Sequence, residues 1–315
     1  MGRKLGVAAA STLAGAAALA GWIAVNAHDH EPPGAPADGA SQAAPPPPPA
    51  PSVTPEPADL PLTPLAAAPP TPADPAAGLR AQDAARSSTA GAGLGVAVFD
   101  RATGTTLAAA DADRPFPCMS VVKLFIAVDM LDHTPGGTPD QDTADRIRRM
   151  LSHSDDAIAS ALWSSNGGAA IVDRTAERLG LAGTEPPQNP SEWGDTRTTP
   201  QDLVTLYRHI TDQMPAPSRD LVLDSLTHTT RTAADGFDQH FGIPTGMSGM
   251  PWAVKQGWGT SGSEAAIDST GLVGPDGRYV VVLLAKSSTG SYRSLTGAVT
   301  DAARSLGGTI GSPPP

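Results

Sequence analysis

Apolar positions fall into three regimes along the chain. From Leu5 to Val25 they run without a charge. From residue 28 to about 77 the large apolar residues thin out among Pro and Ala. Beyond that they recur with the periods of regular structure. Pro75 to Arg86 suits a helix. Gly93 to Phe99 and Thr105 to Ala110, joined by the turn Asp100 to Gly104, predict a β-hairpin. Ser120 to Leu131 reads as a strongly apolar helix. Thr143 to Leu151 places Ala144, Ile147, Met150 and Leu151 on one helical face. Asp156 to Trp163 and Ala169 to Leu179 predict two more helices, and Thr199-Pro200 opens another that runs through Ile210. Ser218 to Leu226 follows. Ala253 to Lys255, Ala265 to Leu272 and Arg278 to Ala285 read as strands, the last two joined by Gly274-Pro275-Asp276-Gly277. Ser291 to Leu306 predicts a terminal helix. Strands at both ends and helices between them imply an α+β fold. Its antiparallel sheet is built from both chain ends and flanked by helices, with an all-helical lobe inserted. The junction of sheet and lobe is the expected cleft.

The first regime has the form of an export signal. Arg3 and Lys4 precede 21 uncharged residues, and Val25-Asn26-Ala27 offers a small-residue cleavage site. The same length suffices to span a bilayer, so residues 1–27 read as a signal peptide or a membrane anchor. Either places the remainder outside the cytoplasm, as an extracellular or cell-envelope protein. No Cys follows the apolar run, which argues against a diacylated lipoprotein. Residues 28–77 hold most of the 33 prolines, with Pro45 to Pro49 consecutive, and read as a disordered linker. Residues 78–311 are the expected folded domain, and Pro313-Pro314-Pro315 an unstructured tail.

Composition narrows the chemistry. With 21 Lys+Arg against 32 Asp+Glu the formal net charge is −11, and no basic stripe exists for a nucleic acid partner. One Cys excludes an intrachain disulfide and a Cys-based zinc cluster. Only four of the 21 cations are Lys: Lys4, Lys123, Lys255 and Lys286. A chain that makes its surface cations from Arg has specific use for an amine, which can lose its proton when desolvated.

Lys123 stands three residues after Ser120, so the two can meet on one helical face. Val121, Val122, Leu124, Phe125 and Ile126 would desolvate the amine, lower its pKa and let it take the Ser proton. Ser120 at a helix start would also face unpaired N–H groups and the positive end of the helix dipole. Ser154-Asp155-Asp156 begins the next helix, where a simple N-cap is the plain alternative. Lys255-Gln256-Gly257 ends a strand.

The order Ser-x-x-Lys, Ser-Asp-x, Lys-x-Gly resembles the penicillin-recognising serine hydrolases, above all the class A β-lactamases. The resemblance covers about residues 78 to 311. It implies a β-lactamase-like fold and an exported acyl-serine hydrolase, a monomer without cofactor or metal. Its substrate would be a small-molecule β-lactam or a peptidoglycan peptide of the D-Ala-D-Ala type. It makes Ser120 the acylated nucleophile and Lys123 its general base or part of the proton path. Ser154 would pass a proton to the leaving nitrogen, while Lys255 would bind the substrate carboxylate and support Ser154. The N–H groups of Ser120 and Trp258, just after Gly257, would form the oxyanion hole. Glu185-Pro186-Pro187-Gln188-Asn189 can be laid on the family's E-P-x-x-N loop, making Glu185 the deacylating base, with Glu192 nearby.

The chain also departs from that pattern. Ser154 follows Ser120 by only 34 residues, so a connecting segment is trimmed. Asp156 stands where the family has Asn, and a carboxylate cannot donate to a substrate carbonyl. It can instead pair with Lys123, raise its pKa and weaken it as a base. Gln256 replaces the Thr or Ser whose hydroxyl contacts substrate carboxylate. These departures keep open a second reading, a catalytically weak or inactive relative whose cleft binds a cell-wall ligand or a protein. Other signals lead elsewhere or nowhere. Gly91 to Gly95 precedes a strand and is no dinucleotide loop; Asp140, Asp142 and Asp145 lack the rest of a calcium loop. His153 reads as a partly exposed polar residue and Cys118 as a small buried hydrophobe. Trp252 and Trp258, flanking Lys255, are either core or a substrate-stacking wall.

Overall fold

The computed structural model describes residues 72–310. The signal or anchor expected at 1–27, most of the linker expected at 28–77 and the tail at 313–315 lie outside the described residues.

The chain enters through helix α1 (Pro75–Ser88), capped by Asp74, whose carboxylate accepts from the N–H groups of Ala76 and Ala77. Strands β1 (Gly93–Asp100) and β2 (Thr105–Ala110) form the expected hairpin. A two-residue strand β3 (Phe116–Pro117) leads to a 3₁₀ turn, Met119–Val121, and helix α2 (Val122–Asp132). Helices α3 (Gln141–Ser152), α4 (Asp156–Ser165) and α5 (Ala170–Leu179) follow. A loop returns through strand β4 (Arg197–Thr198) to α6 (Pro200–Asp212), α7 (Ala216–Thr227) and the single turn α8 (Ile243–Gly246). Strands β5 (Trp252–Ser261), β6 (Glu264–Val273) and β7 (Tyr279–Ser287) and helix α9 (Tyr292–Ile310) complete it.

The main sheet has the order β2-β1-β7-β6-β5, antiparallel throughout, so both chain ends build it and β5 is an edge. Side chains alternate faces along each strand, and the core divides accordingly. Val280, Val282 and Leu284 of β7 join the apolar cluster of the helical lobe. Val281, Leu283 and Ala285 join the cluster under α1 and α9. Both faces of β7 are therefore covered, which explains its unbroken apolar run Tyr279 to Ala285. Within the lobe α2 is buried from Val122 through Asp129 and touches α3, α4, α5 and α7.

Two buried carboxylates inside this frame are each matched by an arginine. Asp100, almost fully buried at the end of β1, receives Nε and Nη2 of Arg278 at 2.9 and 2.7 Å. Those bonds hold its carboxyl below its usual pKa. Asp129 on α2 receives Arg174 of α5 in the same forked manner, at 3.0 and 2.6 Å.

Two differences from the sequence reading bear on function. Ser120 does not open the α-helix but sits in the 3₁₀ turn before it. Strand β5 runs six residues beyond Lys255, because pairing with β6 carries Gln256 to Ser261 in register despite their polarity. The short β3–β4 ribbon has no periodicity for a sequence to show.

Candidate active site: the Ser120 cleft

The 3₁₀ turn at the head of α2 delivers Ser120 to the junction of sheet and lobe. The residue before it, Met119, has φ 42, and Ser154 across the cleft has φ 52. Both are in the left-handed region that non-glycine residues avoid, a conformation kept where surrounding structure fixes a side chain's aim. Edge strand β5 passes close behind the turn. A Cβ on Gly257 would lie 2.7 Å from Asp268 Oδ2 and 3.1 Å from the Cys118 carbonyl and from Met119 Cβ. Only glycine lets the strand approach the Ser120 turn this closely.

Lys123, on the first turn of α2 and fully buried, donates to Ser120 Oγ at 2.7 Å and to Asp156 Oδ1 at 2.6 Å. Its ammonium also stands 4.4 Å from the Trp193 ring centre. Burial lowers its pKa, while Asp156 opposes that shift, with smaller contributions from Asp235 and Asp155. Burial wins: the amine loses its proton more readily than an ordinary Lys. Asp156 is the first residue of α4, and its side chain is 59% exposed. The N-cap role falls to its neighbour Asp155, which accepts from the Ile158 N–H and pairs with Arg149.

Ser154 and Lys255 form the second half. Lys255 Nζ donates to Ser154 Oγ at 3.0 Å and to the Gln256 carbonyl at 2.9 Å. Complete burial and the neighbouring charge of Lys123 push its pKa well down. The Lys255 carbonyl accepts from Thr270 Oγ1, which is bonded to the Tyr207 hydroxyl, so the strand is anchored from behind.

The structure thus brings Ser120, Lys123, Ser154, Asp156, Lys255, Gly257 and Trp258 to one junction. Two other residues expected there are not. Gln256 turns away: it shares a strand face with Val254, opposite Lys255, and its amide donates to the carbonyls of Gln239 and Phe241 at 2.9 and 2.8 Å. Its position as a substrate contact is therefore corrected to a buried brace between β5 and the segment before α8. Glu185 is also misplaced by the sequence reading. Its backbone pairs with that of Arg197, closing the base of the loop, and its side chain is exposed. It is not among the residues lining the cleft; Glu192 and Asp195 are.

The cleft itself encloses about 360 Å³, lined by Met119, Ser120, Asp156, residues 191–195, Asp235, Trp258, Gly259, Thr260 and Tyr292. Sequence reasoning missed Trp193, Asp195, Asp235 and Tyr292 as parts of it. Trp193 is fixed by its indole N–H on Ser160 Oγ at 3.1 Å, and Trp258 by its own on Asp235 Oδ2 at 2.9 Å and by stacking on Phe237. Trp252 does not share this wall; it lines a separate cavity and meets His240 edge-on. Asp268 was also missed. It lies across from Gly257 in the β5–β6 register, fully buried, with neither carboxyl oxygen in hydrogen-bond reach of a partner. Burial pushes its pKa well up. A charged residue at an inward position of an apolar strand was the available signal. Cys118 is buried, with its thiol pKa raised by that burial, and His153 is partly exposed. Among the described residues no group of His, Cys, Asp and Glu could hold a metal ion, and no helix is long and apolar enough to cross a membrane.

Known proteins resemble this chain in sequence and in fold. The chain is 38% identical over 199 residues to "Putative lipoprotein LppW" of Mycobacterium tuberculosis, and equally to that of Mycobacterium bovis. The matched part spans 61% of this chain and 63% of the length of those relatives. Among solved structures, PBP-A superimposes with a TM-score of 0.61 at 21% identity, over 77% of this chain and 98% of that one. An ancestral class A β-lactamase gives 0.59 at 20% identity, over 73% and 98%. At those identities the likeness is one of fold: the antiparallel sheet and helical lobe are those of the class A β-lactamases. The description "Beta-lactamase enzyme family" fits residues 140–310, which contain Ser154, Asp156 and Lys255. That match takes in more than half of the sequence, and the chain belongs to the beta-lactamase enzyme family.

Proposed function

We propose that the protein is an exported acyl-serine hydrolase that takes the acyl group of a β-lactam or of a D-Ala-D-Ala-type peptide onto Ser120. The observation that carries the proposal is the buried Ser120–Lys123 contact of 2.7 Å, made by an amine whose pKa burial has lowered. With Lys123 neutral, that contact runs the other way: the Ser120 hydroxyl donates, and Lys123 takes its proton as Oγ attacks the carbonyl carbon. The N–H groups of Ser120 and Trp258 are the proposed oxyanion donors. Collapse of the tetrahedral intermediate breaks the C–N bond. The leaving nitrogen takes its proton from the Ser154 hydroxyl, which Lys255 holds at 3.0 Å, and the proton that Lys123 took from Ser120 makes good the loss. Water then releases the acyl group, its proton going to a carboxylate of the cleft, Glu192 or Asp195. Export rests on the N-terminal segment Leu5 to Val25, and the mycobacterial relatives carry the name "Putative lipoprotein LppW". A point mutant of PBP-A, which has the same fold, has been solved as an acyl-enzyme complex with penicillin G.

A second reading has its own observation. Asp156 holds the Lys123 ammonium at 2.6 Å, and Lys255 is already engaged by Ser154 and the Gln256 carbonyl. Such a site can bind a cell-wall ligand or a protein partner with little or no turnover. The test is product formation: hydrolysis of a chromogenic cephalosporin, and release of D-Ala from a diacylated D-Ala-D-Ala peptide, by the full chain. The hydrolase reading expects catalytic turnover of one of them, lost in Ser120→Ala. Folded protein that turns over neither favours the binding reading.

A further inference from the structure

Three side chains meet the Lys123 ammonium: Ser120 Oγ at 2.7 Å, Asp156 Oδ1 at 2.6 Å, and the Trp193 ring, whose centre is 4.4 Å away. All three line the cleft, and Lys123 does not. They stand between a fully buried amine and the water of the cleft. Ser120 is small and Asp156 is a charged, largely exposed side chain, so the apolar part of this partition is Trp193.

The ring is firmly placed. Trp193 opens the 3₁₀ turn Trp193–Asp195, which touches the 119–121 turn carrying Ser120. Its indole N–H donates to Ser160 Oγ at 3.1 Å, and Ser160 lies one helical turn beyond Asp156 on α4. The Trp193 carbonyl accepts from Thr196 Oγ1 at 2.8 Å, and the Thr196 carbonyl accepts from the Cys118 N–H at 2.8 Å. The loop, the Ser120 turn and α4 together fix one indole over one amine.

The ring acts on that amine in two opposed ways. Its quadrupole attracts the ammonium and favours the charged form. Its bulk excludes water and favours the neutral form. At Lys123 burial prevails even over the charge of Asp156, to which Asp235 and Asp155 add. A ring quadrupole attracts more weakly than an adjacent carboxylate, so exclusion of water is the larger effect of Trp193. The other ionisable neighbours are Lys255 on β5, whose charge also disfavours a second ammonium, Cys118 before the turn, and Glu192 and Asp195 in the loop of Trp193.

We propose that Trp193 is a positioning residue of the acylation step, sealing Lys123 from the water of the cleft and so keeping it able to take the Ser120 proton. This rests on Ser120 being the acylated nucleophile and Lys123 its base.

The test is the pH dependence of Ser120 acylation by a penicillin, read as adduct formation on the full chain, for the parent, Trp193→Ala and Trp193→Leu, each shown to be folded by thermal unfolding. In Trp193→Ala water reaches the amine. The acid limb of the pH–rate profile should move to higher pH by about one unit, the rate below it should fall about tenfold, and the deficit should narrow as the pH rises. Trp193→Leu excludes water without a ring quadrupole, and its limb should stay at the parent's pH or below it. An Ala limb that stays put or moves to lower pH would overturn the proposal. So would a Leu limb that rises with the Ala one, which would assign the effect to the indole N–H on Ser160 in place of exclusion. A deficit equal at every pH would make Trp193 a substrate contact or a structural brace, and would overturn it too. A folded parent with no adduct at any pH would instead overturn the reading of Ser120, and this proposal with it.

Discussion

Replacing Lys123 with Met is expected to abolish acylation of Ser120 and leave the domain folded. A positioned general base contributes about 10²–10⁴-fold, so the loss should be at least about a hundredfold and near the detection limit of a covalent-capture assay. Folding should survive for a physical reason. A lysine whose folded-state pKa is depressed binds its proton less tightly than in the unfolded chain. It therefore costs stability at every pH below its ordinary value. Met fills the same volume without that cost. The partner left behind, Asp156, is more than half exposed and returns to water, unlike the remnant of a fully buried pair. Thermal unfolding near neutral pH should show the variant at least as stable as the parent. Acylation retained in Lys123→Met would shift the base to another group, the Ser154–Lys255 pair first.

Asp156→Asn should act in the opposite direction. Asp156 is the largest of the groups that hold the proton on Lys123 against the effect of burial. Without its charge the Lys123 pKa falls further, and more of the amine is neutral at a given pH. The acid limb of the pH–rate profile for acylation should move to lower pH. Below that limb the rate should rise on the order of tenfold, since an opposite charge at this range shifts a pKa by about one unit or more. The new amide can also donate to a substrate carbonyl, which the carboxylate cannot. The measurement is the pH dependence of adduct formation in the two proteins. An unmoved limb would mean that Lys123 is not the titrating base.

The two predictions use the part of the site that was most legible in the sequence. Ser120 and Lys123 are three residues apart, and any helical geometry brings them together. The partner role of Asp156 followed from its type, since a carboxylate beside a buried amine has one favourable use. What escaped was set by longer-range geometry. Gln256 follows Lys255 in a strand, and period-2 alternation sends it to the opposite face. Glu185 lies at the base of its loop because its backbone pairs with Arg197, a contact between residues twelve apart that no local motif encodes. The acidic wall is assembled from the 191–195 loop, Asp235 and the start of α4, which only the closed fold places side by side. The sheet was legible for the converse reason. Strands β1, β6 and β7 carry their apolar pattern on their own, and β5 does so only at its first half.

The central claim is that Ser120 is acylated, and intact mass spectrometry of the full chain with a penicillin, followed by fragmentation of the modified peptide, tests it most directly. The account predicts one added penicillin mass per chain, located on Ser120 and absent from folded Ser120→Ala. An adduct on another residue, or no adduct on the folded chain, would contradict it.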